Sequence, residues 1–349
     1  MTSAPGSTTS AASAFAGAPR STIDFAMTMS PPELAEHLFG NGLEALRIDG
    51  VRPLQTIPFT GLDHPDARHA LEHAEVLIAA WGAPGLSDAD LDHAPRLRYL
   101  LYAGGQGSTL LPQSARERGI QVSNAGWLNA IPVAEFTVAM IVLANKQTFG
   151  ARHLYRDRRA PIDRELEFPH AGNREKVVGV VAASRIGRIV IERLRDLDLR
   201  VQVYDPYLSA TDAQRLGVQR VGLDELMRTS DVVTLHPPLN ASTEGMITAK
   251  LLAQLRDGAT LINTSRGGIV DQDALLAQLR TGRIEAILDV TTPEVLPHDH
   301  ELFTMPNVFL TPHISGSMGT EIRRLGDHVA TELERIVQGR PLAFPEVLP

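Results

Sequence analysis

From about Ser21 onward, short apolar runs alternate with longer stretches of mixed polarity. The run AEVLIAAW (74–81) is continuously apolar at its centre, as expected of a strand buried on both faces. SDADLDHA (87–94) then predicts a short helix capped by Ser87, and RLRYLLYA (96–103) predicts the next strand. In ARERGIQVSN, Gly119 stops a helix before a strand at 120–123. A longer helix is predicted over 132–146, with Pro132 in its first turn and apolar residues almost all round. The segment 153–175 is polar, broken by proline and mixed in charge, and reads as a surface connection. From Lys176, KVVGVVA predicts a strand, ASRIGR a turn, IVIERLRDL a helix and RVQVYD a second strand. This rhythm predicts an α/β fold built on parallel sheets.

A chain of 349 residues has room for two domains. Its net charge of −8 offers no general attraction to phosphate backbones or anionic lipid, so nucleic acid is not an expected partner. Without a single cysteine, thiolate nucleophiles, thiolate metal sites, iron–sulfur clusters and disulfides are all excluded. The first twenty residues are nearly all Ser, Thr, Ala, Gly and Pro, and a flexible tail is expected over 1–20. The longest apolar stretch, around 136–144, is far shorter than the ~20 residues a membrane crossing needs. A soluble, cytoplasmic protein without a membrane partner is the expectation.

The strand–turn–helix–strand unit after Lys176 has the form of a dinucleotide site, which favours G-x-G-x-x-G at the turn. Here Ala182, Ser184 and Gly187 stand at those three places, so only the third glycine is kept. Ala182 and Ser184 are still small, and the Ser184 hydroxyl is a possible donor. Asp205 follows Gly187 by eighteen residues, near the offset at which a carboxylate binds the ribose hydroxyls. Its charge repels a 2′-phosphate, so NAD is expected in preference to NADP.

Three polar clusters each follow an apolar run: Asn263 to Gly268 after ATLI, Asp289 to Glu294 after EAIL, and Thr311 to Gly316 after VFL. In an open parallel sheet, ligands bind at such carboxyl ends. Together with SDVVTLHPPLNASTEGMI (230–247), these segments resemble the D-isomer-specific 2-hydroxyacid dehydrogenase family, from the AGG turn at Gly104 to TPHISG. The resemblance implies that Arg266 anchors a substrate carboxylate, that His313 is the acid/base, and that Glu294 orients His313. The chemistry suits these residues: a guanidinium fork matches a planar carboxylate, and imidazole exchanges protons near neutral pH. Asp289 resembles the residue that binds the nicotinamide carboxamide, although capping the turn after its strand suits it as well. The further cofactor contacts implied are Arg185, Ile186, His236, Pro237, Thr243 and Thr264, with Arg266 and His313 also lining that site. Gly104, Gly105 and Gln106 match the glycine turn that receives the substrate carboxylate on backbone amides. Family members commonly follow that turn with Asp and Asn; this chain has Gln106 and Ser108.

The family implies two Rossmann-like or flavodoxin-like lobes with parallel sheets, the cofactor lobe inserted into the substrate lobe. On this chain that places a substrate-binding domain at 21–122 plus 317–349 and an NAD-binding domain at 123–316, with substrate in the cleft and a homodimer as the assembly. The expected reaction is hydride transfer between NAD(H) and a small 2-oxoacid or D-2-hydroxyacid. Two alternatives are an NAD(H)-sensing protein like the C-terminal-binding-protein corepressors, and a formate-dehydrogenase-like enzyme, whose branch has Gln where this chain has Glu294. His69 and His73 have metal-ligand spacing on a predicted helix, but no third ligand is evident and no metal is expected.

Overall fold

A computed structural model describes residues 22–347, so the tail expected over 1–20 lies outside the described residues. The chain forms two compact units. One is continuous, Gly126–Leu325; the other combines the described residues up to Ala125 with those from Gly326 on. The crossings therefore fall at 125/126 and 325/326, against 122/123 and 316/317 in the sequence reading. Local contacts account for the second shift, because the side-chain oxygen of Asn129 accepts the Ser317 amide at 2.7 Å and keeps this segment with the continuous unit.

In the discontinuous unit, β1 (Ile23–Thr28), β2 (Val51–Pro53), β3 (Val76–Ala79), β4 (Tyr99–Tyr102), β5 (Gln121–Asn124) and the chain's last strand, β13 (Pro345–Glu346), form one sheet. Its order is β13-β5-β4-β3-β1-β2, parallel throughout except for β13 against β5. The five parallel strands follow the flavodoxin-like order. All of β3 is buried, which explains its unbroken apolar run. Leu77 and Leu100 pack with Ala70 and Leu71 of the helix Pro65–His73. Ser87 caps its helix as expected, in a reciprocal pair with Asp90.

The continuous unit has β6 (Val177–Val181), β7 (Arg200–Tyr204), β8 (Gln219–Arg220), β9 (Val232–Leu235), β10 (Thr260–Asn263), β11 (Glu285–Leu288) and β12 (Val308–Leu310). All are parallel, in the order β12-β11-β10-β9-β6-β7-β8, so the strand order reverses between β6 and β9. That is the topological switch point of a Rossmann sheet. The registers align Tyr204, Val181, Leu235, Asn263, Leu288 and Leu310 in one row across the sheet. The residues one step beyond this row are Asp205, Ala182, His236, Thr264, Asp289 and Thr311. Apolar cores cover both faces, one around Leu235, Leu261 and Leu288, the other around Val180, Ile191 and Ile262.

The long helix departs from expectation at its start. It spans Gly126–Asn145, 20 residues, so Pro132 lies inside it and not in its first turn. The proline removes one backbone donor, and burial of Pro132, Val133 and Ala134 offsets the loss. By length and composition this helix is apolar enough to cross a membrane, which the short run at 136–144 did not suggest. Here Ala134, Ile141 and Ala144 pack into the core with Val178 and Val190.

Candidate active site

The turn after β6 is built for close packing. Its helix begins at Arg185, earlier than the predicted turn allows, and Ser184 caps it by accepting the Gly187 amide at 3.3 Å. A Cβ on Gly187 would meet the Ala182 carbonyl oxygen at 2.1 Å, so only glycine fits the third motif position. Ala182 has φ 73, the left-handed backbone for which glycine is ordinarily used. The amides of Arg185 and Ile186 open the helix's first turn, where an anionic group is stabilised.

Asp205 lies one step past β7, and its carboxylate accepts three amides: Ala183 at 2.8 Å, Tyr207 at 2.7 Å and Leu208 at 3.0 Å. It thereby ties the two motif turns together. A carboxylate has about four acceptor positions, so one is left for a ribose hydroxyl. Past β9, His236 is buried; its Nε2 lies 3.0 Å from the Thr234 hydroxyl, and its Nδ1 has no partner among the described residues. Burial pushes His236 down to about 3, so it is neutral in the folded protein. An open helix end, a turn with no room for a side chain, an acidic residue on the neighbouring strand and an orphaned buried nitrogen fit a dinucleotide.

On the other side of the switch point stand the residues expected to do the chemistry. Asn263 ends β10 and shapes the next loop: its side-chain oxygen accepts the Ser265 amide at 3.1 Å, and its nitrogen donates to the Arg266 carbonyl at 2.9 Å. Arg266 is exposed, and its guanidinium donates to the Ser265 carbonyl at 2.7 Å. Beside it, a Cβ on Gly267 would meet the Thr291 backbone at 2.2 Å, so the β10 and β11 loops touch through a glycine. His313 Nδ1 and Glu294 Oε1 are 2.5 Å apart, the pair that the resemblance implies. Both side chains are about half exposed, and His313 Nε2 is the ring nitrogen left for a ligand.

Asp289 is buried and spends most of its acceptor capacity on the segment after β12. It is 1% exposed, and its carboxylate accepts the Thr311 hydroxyl at 2.6 Å and the Ile314 and Ser315 amides at 2.8 Å each. The capping alternative describes its contacts. Thr264 is also committed internally, its hydroxyl 3.0 Å from that of Thr137 in the long helix. Pro237 is buried after His236, and the Thr243 hydroxyl donates to the Pro238 carbonyl while accepting the Asn240 amide at 2.9 Å, closing its own turn.

In the discontinuous unit, the amides of Gly104, Gly105 and Gln106 make no hydrogen bond among the described residues, whereas those of Gly107 and Ser108 bind the Glu346 carboxylate. The Gln106 side chain donates to the Ser108 hydroxyl at 3.3 Å. Three positions escaped the sequence reading. Gln272 clamps Thr292, donating to its carbonyl at 2.6 Å and accepting its amide at 2.8 Å, two residues before Glu294. Asn129 secures Ser317, and Glu346 reaches the glycine turn. Glu72 joins His69 and His73 on the helix Pro65–His73, with ligand atoms within 4.8 Å of one another, a third candidate ligand where the sequence showed none.

Fold and loops together define a dinucleotide-binding α/β protein with an Arg, Glu and His set at the sheet's carboxyl edge. The family model described as D-isomer specific 2-hydroxyacid dehydrogenase, NAD binding domain, matches residues 138–315. This chain belongs to the D-isomer specific 2-hydroxyacid dehydrogenase family. It is 31% identical over 282 residues to a D-3-phosphoglycerate dehydrogenase of Methanocaldococcus jannaschii, covering 80% of this chain and 53% of that protein. The chain thus spans about half the length of the curated relatives it matches. Among solved structures, the TT0316 protein from Thermus thermophilus has a TM-score of 0.75 at 29% identity, covering 93% of this chain and all of that one. An NAD-dependent formate dehydrogenase from Staphylococcus aureus, in complex with NAD, has a TM-score of 0.69 at 28% identity, covering 91% of this chain and 96% of that one.

Proposed function

We propose that this protein interconverts a small 2-oxoacid and the corresponding D-2-hydroxyacid with NAD(H), acting as a homodimer. The observation that carries the reading is the His313–Glu294 pair on loops that follow neighbouring strands, with the Arg266 loop after the next. A 2-oxoacid presents a carboxylate, which suits the Arg266 fork, and a carbonyl oxygen that needs a proton during reduction. With Nδ1 held by Glu294, His313 hands over that proton from Nε2, and Glu294 balances the charge of the imidazolium. Bound NADH supplies the hydride to the carbonyl carbon. In the oxidative direction the same nitrogen takes the hydroxyl proton.

Glu294 favours this reaction over formate oxidation, whose branch has Gln at that place. The test is NADH oxidation over a panel of glyoxylate, hydroxypyruvate, pyruvate, phenylpyruvate and 3-phosphohydroxypyruvate, with sedimentation of the purified protein for the dimer. Turnover of at least one acid supports the reading. NADH binding with no turnover of any favours a sensor instead.

A further inference from the structure

The glycine turn of the discontinuous unit is already partly occupied by a carboxylate from the far end of the chain. Glu346, on β13, accepts the Gly107 amide at 2.8 Å, the Ser108 amide at 3.1 Å and the Asn124 side-chain amide at 2.7 Å. A Cβ on Gly107 would come within 2.9 Å of Tyr102 Cβ and 3.0 Å of Val122 Cγ1, so glycine is needed for this amide to lie where it does. The strand carrying Glu346 is itself fastened. Fully buried Glu332 accepts the Ala343 and Phe344 amides at 2.9 Å each, and the Ser123 hydroxyl donates to it at 2.8 Å. That hydroxyl has one proton to give, so the His328 ring nitrogen 3.2 Å away completes the cluster by donating to Ser123. Pro345 and Glu346 then pair with Ser123 and Val122 of β5.

We infer that Glu346 is a positioning residue for substrate binding: it consumes the amides of Gly107 and Ser108 and fixes the turn so that those of Gly104, Gly105 and Gln106 stay open for the substrate carboxylate. The inference rests on the function proposed above. Three charge-assisted bonds on one carboxylate are strong enough to hold a glycine-rich turn in one conformation, and a preformed nest binds an anion without first ordering itself.

The test compares Glu346→Ala and Glu346→Gln with the wild type, using NADH and the best substrate of the panel. The alanine variant is expected to raise the 2-oxoacid KM about 10-fold or more while kcat changes less than about 3-fold, as for a loss of ground-state positioning. Glu346→Gln keeps one acceptor oxygen and falls between the two. Hydrogen exchange at 104–108 quickens in the alanine variant, while NADH affinity, read by fluorescence titration, stays unchanged and reports an intact cofactor unit. An unchanged KM despite faster exchange overturns the inference, leaving Glu346 a purely structural clamp; unchanged exchange overturns it too. Should the alanine variant not fold, the glutamine variant decides on the same readouts. A wild type that turns over no acid of the panel sinks the proposed function first, and this inference with it.

Discussion

The His313 amide donates to the Asp289 carbonyl oxygen at 2.9 Å, while the Asp289 carboxylate takes the next two amides, those of Ile314 and Ser315. His313 has φ 56, a left-handed backbone that costs a non-glycine residue about 1–3 kcal/mol. The hydrogen bonds that its own amide and the next two donate to Asp289 hold it there, which aims the ring at Glu294. Asp289→Asn places an amide where acceptors are needed, and is expected to lower kcat about 10²-fold, with the NADH KM nearly unchanged. A rise in the NADH KM at constant kcat would return Asp289 to the cofactor contact that the family resemblance implies.

Arg266 has its guanidinium at the surface of its loop, tied among the described residues to the neighbouring Ser265 carbonyl. Arg266→Ala is expected to reduce kcat/KM at least about 10³-fold, because both the anchor and the charge beside the carbonyl are lost. Arg266→Lys keeps charge without the fork and recovers only part of the rate. Wild-type kinetics in the alanine variant would remove Arg266 from the mechanism.

Asp205 joins two roles. The wild type is expected to prefer NADH to NADPH, and Asp205→Ala to narrow that preference by removing the repulsion of a 2′-phosphate. Because three amides lose their acceptor, the same change also lowers the thermal midpoint. Paired titrations with NADH and NADPH decide the first point; a wild type that already prefers NADPH refutes it.

Stability should fall as the pH is lowered below about 6.5, the ordinary histidine value. Burial pushes His236 to about 3, and burial also lowers His328 against the opposing charge of Glu332. Between 6.5 and those lower values the unfolded chain binds protons that the folded chain does not, so stability rises with pH across the window, by about 1.4 kcal/mol per unit for each fully responding group. Urea unfolding at pH 4.5, 5.5 and 7.5 measures it. His328→Gln is expected to flatten the slope, and an equally steep profile in that variant would exclude His328 as a contributor.

The elements that bear the site were readable because buried parallel strands are continuous apolar runs and each is followed by an abrupt polar cluster. Arg266, Glu294 and His313 stood out on that ground together with the family pattern, and the structure pairs Glu294 with His313. What a carboxylate faces was not readable. Asp289 and Asp205 are strand-end acids in the sequence, and only the path of the following backbone shows that amides consume most of their acceptor capacity. Gln272, Asn129 and Glu346 act on backbone groups far along the chain, 239 residues in the case of Glu346 and Gly107, and no local spacing signals such a contact. The start of the long helix was hidden for another reason, since burial outweighs the usual preference for proline in a first turn.

The row that runs from Tyr204 to Leu310 sets at one level the departure points of the loops that carry Ala182, Asp205, His236, Arg266, Glu294 and His313. Below it the strands are locked by their neighbours, and a slip of one residue would turn every side chain to the opposite face. Above it, each loop answers mainly to itself and to the loop beside it. Insertions and exchanges there can re-tool the chemistry one loop at a time while the sheet keeps its register, so the protein's evolvable part and its stable part are separated by a single layer of peptide bonds.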